Sequence, residues 1–122
     1  MLTKSLADCT EILAGDKTIL RELLHPGRDP ATIGYSLAYA KLTQGTASLP
    51  HRMKTSEVYY FIQGEGRMHV DGKSAMVGAE QTVYVPPGAL QHLENLGDDD
   101  LVFLCIVDPA WQKEDEEILN IR

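Results

Sequence analysis

From Gly64 onward, turn signals interrupt this sequence every 7 to 12 residues. They fall at Gly64-Glu65-Gly66, Asp71-Gly72, Gly78, Pro86-Pro87-Gly88, Asn95–Gly97 and Asp108-Pro109. Each joins a residue that tolerates positive φ, or has φ pre-set, to a break in apolar patterning. Such spacing fits short strands, and the rhythm predicts an all-β sandwich or barrel. Earlier breaks, at His25-Pro26-Gly27, Asp29-Pro30 and Gln44-Gly45, extend the pattern upstream.

The segments between breaks support strands. Ile33, Tyr35, Leu37 and Tyr39 alternate with Gly34, Ser36, Ala38 and Ala40, a period of two. Glu57–Ile62 is apolar on both faces after its glutamate, so cover on both sides is expected. Met68 and Val70 alternate with Arg67 and His69, and Asp71-Gly72 predicts a two-residue hairpin turn. Val83 and Val85 run into Pro86, which must end that strand or place it at an edge. Leu101–Val107 reads as a continuous apolar strand, with Cys105 a small buried hydrophobe within it. Thr18–Leu24 fits a helical turn and a first strand equally badly. Lys113–Leu119 is acidic and helix-favouring, and a short C-terminal helix is expected there. Asp98-Asp99-Asp100 reads as a solvated hairpin tip.

At 122 residues there is room for one core, so residues 1–122 are expected to form a single domain, its centre about 33–109. Eighteen acidic against eleven basic residues, with no basic cluster, argue against nucleic acid and anionic membranes as partners. No apolar run approaches membrane length, no apolar signal core follows Met1–Lys4, and the two cysteines show no metal-like spacing. A cytoplasmic location with reduced thiols is the expectation. No Gly-x-Ser-x-Gly elbow is present, and neither cysteine has a histidine nearby in sequence, so a nucleophilic enzyme is disfavoured.

Glu57 stands out inside its apolar strand. A carboxylate facing inward is costly to bury unpaired and requires a metal, a cation or a raised pKa. Two stretches extend this observation: Gly45 with His51, Arg52, Met53, Glu57 and Gly64, and Pro86-Pro87-Gly88-Ala89-Leu90-Gln91-His92-Leu93-Glu94-Asn95. In this order and spacing they resemble the two motifs of the cupin superfamily, a likeness covering about Tyr35 to Pro109. The resemblance implies a cupin-type β-barrel, a double-stranded jelly roll, around one internal pocket. Cupins use three histidines and a glutamate as metal ligands. Here His51 and Glu57 match, Met53 occupies the second histidine position and Gln91 the third, and Glu80 replaces the glycine that opens the second motif. The implied metal set is His51, Glu57 and Gln91, for Zn, Fe(II), Mn or Ni, with occupancy left open.

Register decides between Gln91 and His92. If Leu93 packs inward so does Gln91, leaving His92 outside with Glu94, whereas a bulge after Pro86-Pro87-Gly88 would shift the frame by one and bring His92 inside. Met53 and Tyr59 are expected to line the pocket, with Tyr35 and Tyr39 weaker candidates for the same wall. His25 and His69 read as surface residues. The leading function is a metal-binding small-molecule cupin, with isomerase- or lyase-type Lewis-acid chemistry on a small oxygenated substrate. The alternatives are a non-catalytic ligand-binding module with a degenerate metal site, and a non-haem dioxygenase, which ordinarily wants two imidazoles. Val58, Tyr60 and Ile62, opposite the Glu57 face, would be left partly exposed on a lone barrel, which points to a homodimer.

Overall fold

The computed structural model describes residues 1–119. Eleven strands follow in chain order: β1 (Glu11–Leu13), β2 (Ile19–Leu24), β3 (Ser36–Leu42), β4 (His51–Met53), β5 (Ser56–Gln63), β6 (Glu65–Val70), β7 (Lys73–Gly78), β8 (Thr82–Val85), β9 (Gln91–Asn95), β10 (Leu101–Asp108) and β11 (Glu116–Ile118). They form two antiparallel sheets, ordered β1-β2-β3-β10-β5-β8 and β11-β4-β9-β6-β7. This is the all-β, two-sheet jelly roll that the motif resemblance implies.

Local chemistry explains several elements. Val70 pairs with Lys73, so the β6–β7 turn is Asp71-Gly72 alone, with φ of 49° and 78°. Positive φ at both central residues matches the right-handed strand twist, which is why aspartate and glycine stand there. β8 ends at the prolines that follow it and lies at a sheet edge, where a missing N–H is tolerated. β10 carries the long apolar run because it lies between β3 and β5.

The core sits between the sheets, where Phe61, Phe103, Leu42, Leu93, Leu101 and Val85 are almost fully buried. Tyr59, Phe61 and Phe103 form an aromatic cluster with ring centroids 5.5 to 6.0 Å apart. On β5 the inward set is Glu57, Tyr59 and Phe61. The outward Tyr60 and Ile62 remain 43% and 44% exposed, so within one chain only one side of this strand is covered.

Three expectations change. The C-terminal helix is replaced by one 3-10 turn, Lys113–Asp115, followed by β11, which pairs with β4. A helix this short gains too few hydrogen bonds to offset its nucleation, whereas the edge of β4 offers unpaired backbone groups. Asp98–Asp100 is not a hairpin tip, because β9 and β10 lie in different sheets and the loop crosses between them. His25 is buried rather than superficial. Its Nε2 lies 2.8 Å from the Trp111 carbonyl and its Nδ1 accepts from the Gly27 N–H, joining the end of β2 to the C-terminal segment. Among the described residues, no helix is long and apolar enough to cross a membrane.

Candidate functional site

Between the sheets lies a cavity of about 780 Å³, within the range of small-molecule sites. Its room comes from β3, which turns its small residues Ser36 and Ala38 toward it. Tyr39, of opposite parity on the same strand, is not among the lining residues, and neither is Tyr35, which is 39% exposed just before β3. Met53 and Tyr59 do form part of the wall. Chain between Thr3 and Asp16 closes part of the cavity from outside.

His51 opens β4 and is 2% exposed. Its Nδ1 lies 3.0 Å from the Leu49 carbonyl, an acceptor only, so Nδ1 carries the hydrogen and in the neutral ring Nε2 holds the lone pair. Nε2 faces Glu57 Oε1 at 4.0 Å, an ion-pair distance rather than a hydrogen bond. On the other side Asp16 Oδ2 lies 3.8 Å from Nδ1. Burial is the largest single influence on His51 and disfavours its charge. Glu57 and Asp16 outweigh it, aided by the Leu49 carbonyl, and raise the pKa from 6.5 to about 9.

Gln91 is 1% exposed and stands directly opposite His51 on the neighbouring strand. Gln91, Leu93 and Asn95 face inward, while His92 and Glu94 are only half-buried on the opposite face. Tyr59 Oη donates to Gln91 Oε1 and lies 3.4 Å from Glu57 Oε1. One hydroxyl thus gathers both side-chain oxygens, one from each sheet. Gln91 is not among the residues that line the cavity; it reaches the site through the Tyr59 hydroxyl. Burial, then the Glu57 charge, pushes the Tyr59 hydroxyl and the Cys105 thiol well above their ordinary pKa values, so both stay protonated. Glu116, on β11, also lines the cavity. Its pKa is raised by burial and by the Asp16 and Glu57 charges, against the opposing pull of His51.

Asp16 and Glu116 were not singled out from the sequence. Asp16 belongs to the turn between β1 and β2, where its Oδ1 accepts from the backbone N–H and hydroxyl of Thr18. An aspartate two residues before a threonine signals such a turn, but not which cavity the turn approaches. Also absent from the expected site is a group of two histidines and a glutamate, His69, His92 and Glu94, whose ligand atoms lie within 4.8 Å of one another. It lies on the outer face of the β6–β9 pair.

A protein-family model described as Cupin domain matches residues 38–107, more than half of the chain. This chain belongs to the cupin family. An uncharacterised protein of Methanocaldococcus jannaschii is 39% identical to this cupin over 106 residues, covering 86% of this chain and 84% of that protein. An oxalate-binding protein of Thermotoga maritima is 32% identical over 71 residues, 57% of this chain and 59% of that protein. Among solved structures, a predicted oxalate decarboxylase of Thermotoga maritima superposes with a TM-score of 0.78 at 22% identity, covering 88% of this chain and 99% of that one. The polyketide cyclase RemF from Streptomyces resistomycificus superposes with a TM-score of 0.82 at 15% identity, covering 100% and 87%. At these identities the two structures establish the shared fold.

Proposed function

We propose that this cupin binds a divalent metal ion inside its barrel, at His51, Glu57 and Gln91, and through it a small oxygenated ligand. The observation that carries this reading is the buried pair of His51 Nε2 and Glu57 Oε1, facing each other at 4.0 Å in a ligand-sized cavity. The donor set of imidazole, carboxylate and amide oxygen suits Zn, Fe(II), Mn or Ni. Bound there, the ion would supply a Lewis acid that polarises a carbonyl or hydroxyl oxygen. The Leu49 carbonyl orients His51, and the Tyr59 hydroxyl holds Gln91 close to Glu57. Met53 and Tyr59 shape the wall against which the ligand packs.

Electrostatics narrows the ligand. Asp8, Asp16, Glu22, Glu57 and Glu116 outnumber Lys4, Arg28 and His51 among the lining residues, so the bare cavity favours cations. An anion such as the oxalate named for the Thermotoga maritima relative would be repelled until a metal offset those carboxylates. Isomerase- or lyase-type chemistry fits this site better than dioxygenase chemistry, because the interior offers one imidazole rather than two. A second reading, a ligand-binding module without catalysis, is favoured by the Tyr59–Gln91 hydrogen bond, which satisfies the third donor without a metal. Anomalous diffraction from crystals soaked in Zn2+ or Mn2+ separates the two. The expected peak lies between His51 and Glu57; no interior peak, in a protein that a small ligand still stabilises, would establish the second reading.

The functional unit in this reading is a homodimer in the cytoplasm. Tyr60, Ile62, Tyr84 and Ile106 expose apolar surface on the outer face of the six-stranded sheet, which a second copy would cover. The two thiols are free and buried, as suits a reducing compartment. Light scattering at micromolar concentration is expected to give twice the chain mass; a value of 13.5 kDa would refute the dimer.

A further inference from the structure

We propose that the outer face of the five-stranded sheet carries a second divalent-cation site, formed by His69, His92 and Glu94 and independent of the cavity. Three observations converge there. His69 and His92 are direct cross-strand partners on β6 and β9, and their rings stack 4.1 Å apart, only 4° from parallel. Glu94 lies two residues beyond His92 on the same face, with Oε1 2.6 Å from His69 Nε2. Its directly opposite neighbour is Arg67, yet the carboxylate reaches diagonally to His69 instead. The three side chains thereby turn their ligand atoms toward one another, within 4.8 Å.

The backbone holds this arrangement. β6 pairs with β7 and β9, and β9 with β4 and β6, so both strands are anchored on both sides. Donors carried on paired strands lose little freedom on binding, unlike donors on loops. His69 and Glu94 keep 27% and 37% side-chain exposure, which leaves a path to solvent and room for water as a further ligand. Two imidazoles and one carboxylate with an open position suit Zn, Co, Ni or Cu. A cation would take the place of the hydrogen that His69 and Glu94 now share. The two sites cannot share an ion, because His92 and Gln91 point to opposite faces of one strand. Arg67, paired across the strands with Glu94, is the opposing influence, since a cation on that face weakens attraction for a metal.

The test uses tag-free protein carrying Glu57→Gln, so that the interior site is disabled whether or not the wild-type cavity takes a metal. Titration with Zn2+ at neutral pH, followed by calorimetry, is expected to show one equivalent bound. Adding His92→Gln or Glu94→Gln should weaken binding at least about tenfold. Adding Arg67→Gln should tighten it several-fold. Each change lies on a partly exposed face, and circular dichroism with the thermal midpoint confirms that the variants fold. No uptake up to about 1 mM Zn2+, or affinity unaltered by His92→Gln, would overturn the proposal and leave a hydrogen-bonded His–Glu pair with a stacked neighbour.

Discussion

Glu57→Gln is expected to lower the metal affinity of the interior cavity about a hundredfold or more, since even losing an outer partner of a ligand costs ten- to hundredfold. Glutamine keeps the shape of the side chain but removes the charge that faces His51. The pH dependence should change with it. In the wild-type protein His51 titrates near 9, so at neutral pH a metal must displace a proton, and affinity should climb with pH until about 9 and then level off. In Glu57→Gln the chief group raising that pKa is gone, so the climb should end at lower pH even though overall affinity is smaller. The stability of metal-free protein carries the same signature with opposite sign. The folded pKa of His51 lies above its unfolded value of 6.5, so its contribution is complete below 6.5 and disappears as pH rises through about 9. Calorimetric titration across pH, with thermal melts of the metal-free protein, measures both. Metal uptake unchanged in Glu57→Gln would remove this residue from the site.

Phe61→Ala should be the most damaging single truncation of the core, costing about 3–5 kcal/mol. Its ring is fully buried, stacks at 6.0 Å with Tyr59 and packs at 5.7 Å against Phe103. Tyr59 holds Gln91, so a hollow beneath it should also loosen the site above. The neighbour on the same strand provides the control. Tyr60 faces outward, and Tyr60→Ala should shift stability by no more than about 1 kcal/mol in the monomer. Urea unfolding of both variants, at concentrations where light scattering shows the monomer, measures the difference; equal losses would show that the two faces of β5 are not divided in this way.

The chain itself carries much of this fold. Asp71-Gly72 specifies a two-residue turn because only residues tolerant of positive φ fit both positions. The apolar length of Leu101–Val107 marks a strand covered by neighbours, and Pro86 marks the end of β8. Strand periodicity also puts Gln91 and His92 on opposite faces, while which of the two turns inward was left to the fold. These are local matters, decided by φ preferences and a period of two.

Tertiary structure decided the rest. Periodicity shows that Ser36 and Ala38 share one face and Tyr35 and Tyr39 the other, but not which face turns inward. The fold turned the small residues in, and the cavity is the space they leave. Lys113–Leu119 favours a helix locally, yet the open edge of β4 captured Glu116–Ile118 as a strand. Asp16 joined His51 because the turn between β1 and β2 approaches the mouth of β4, a contact across 35 residues. His69 met His92 and Glu94 only through the register of β6 on β9, across 23 and 25 residues. Which side chains share a strand face follows from the covalent chain. Which strands bring their faces together depends on the collective packing of both sheets, because the free energy of each pairing depends on all the others.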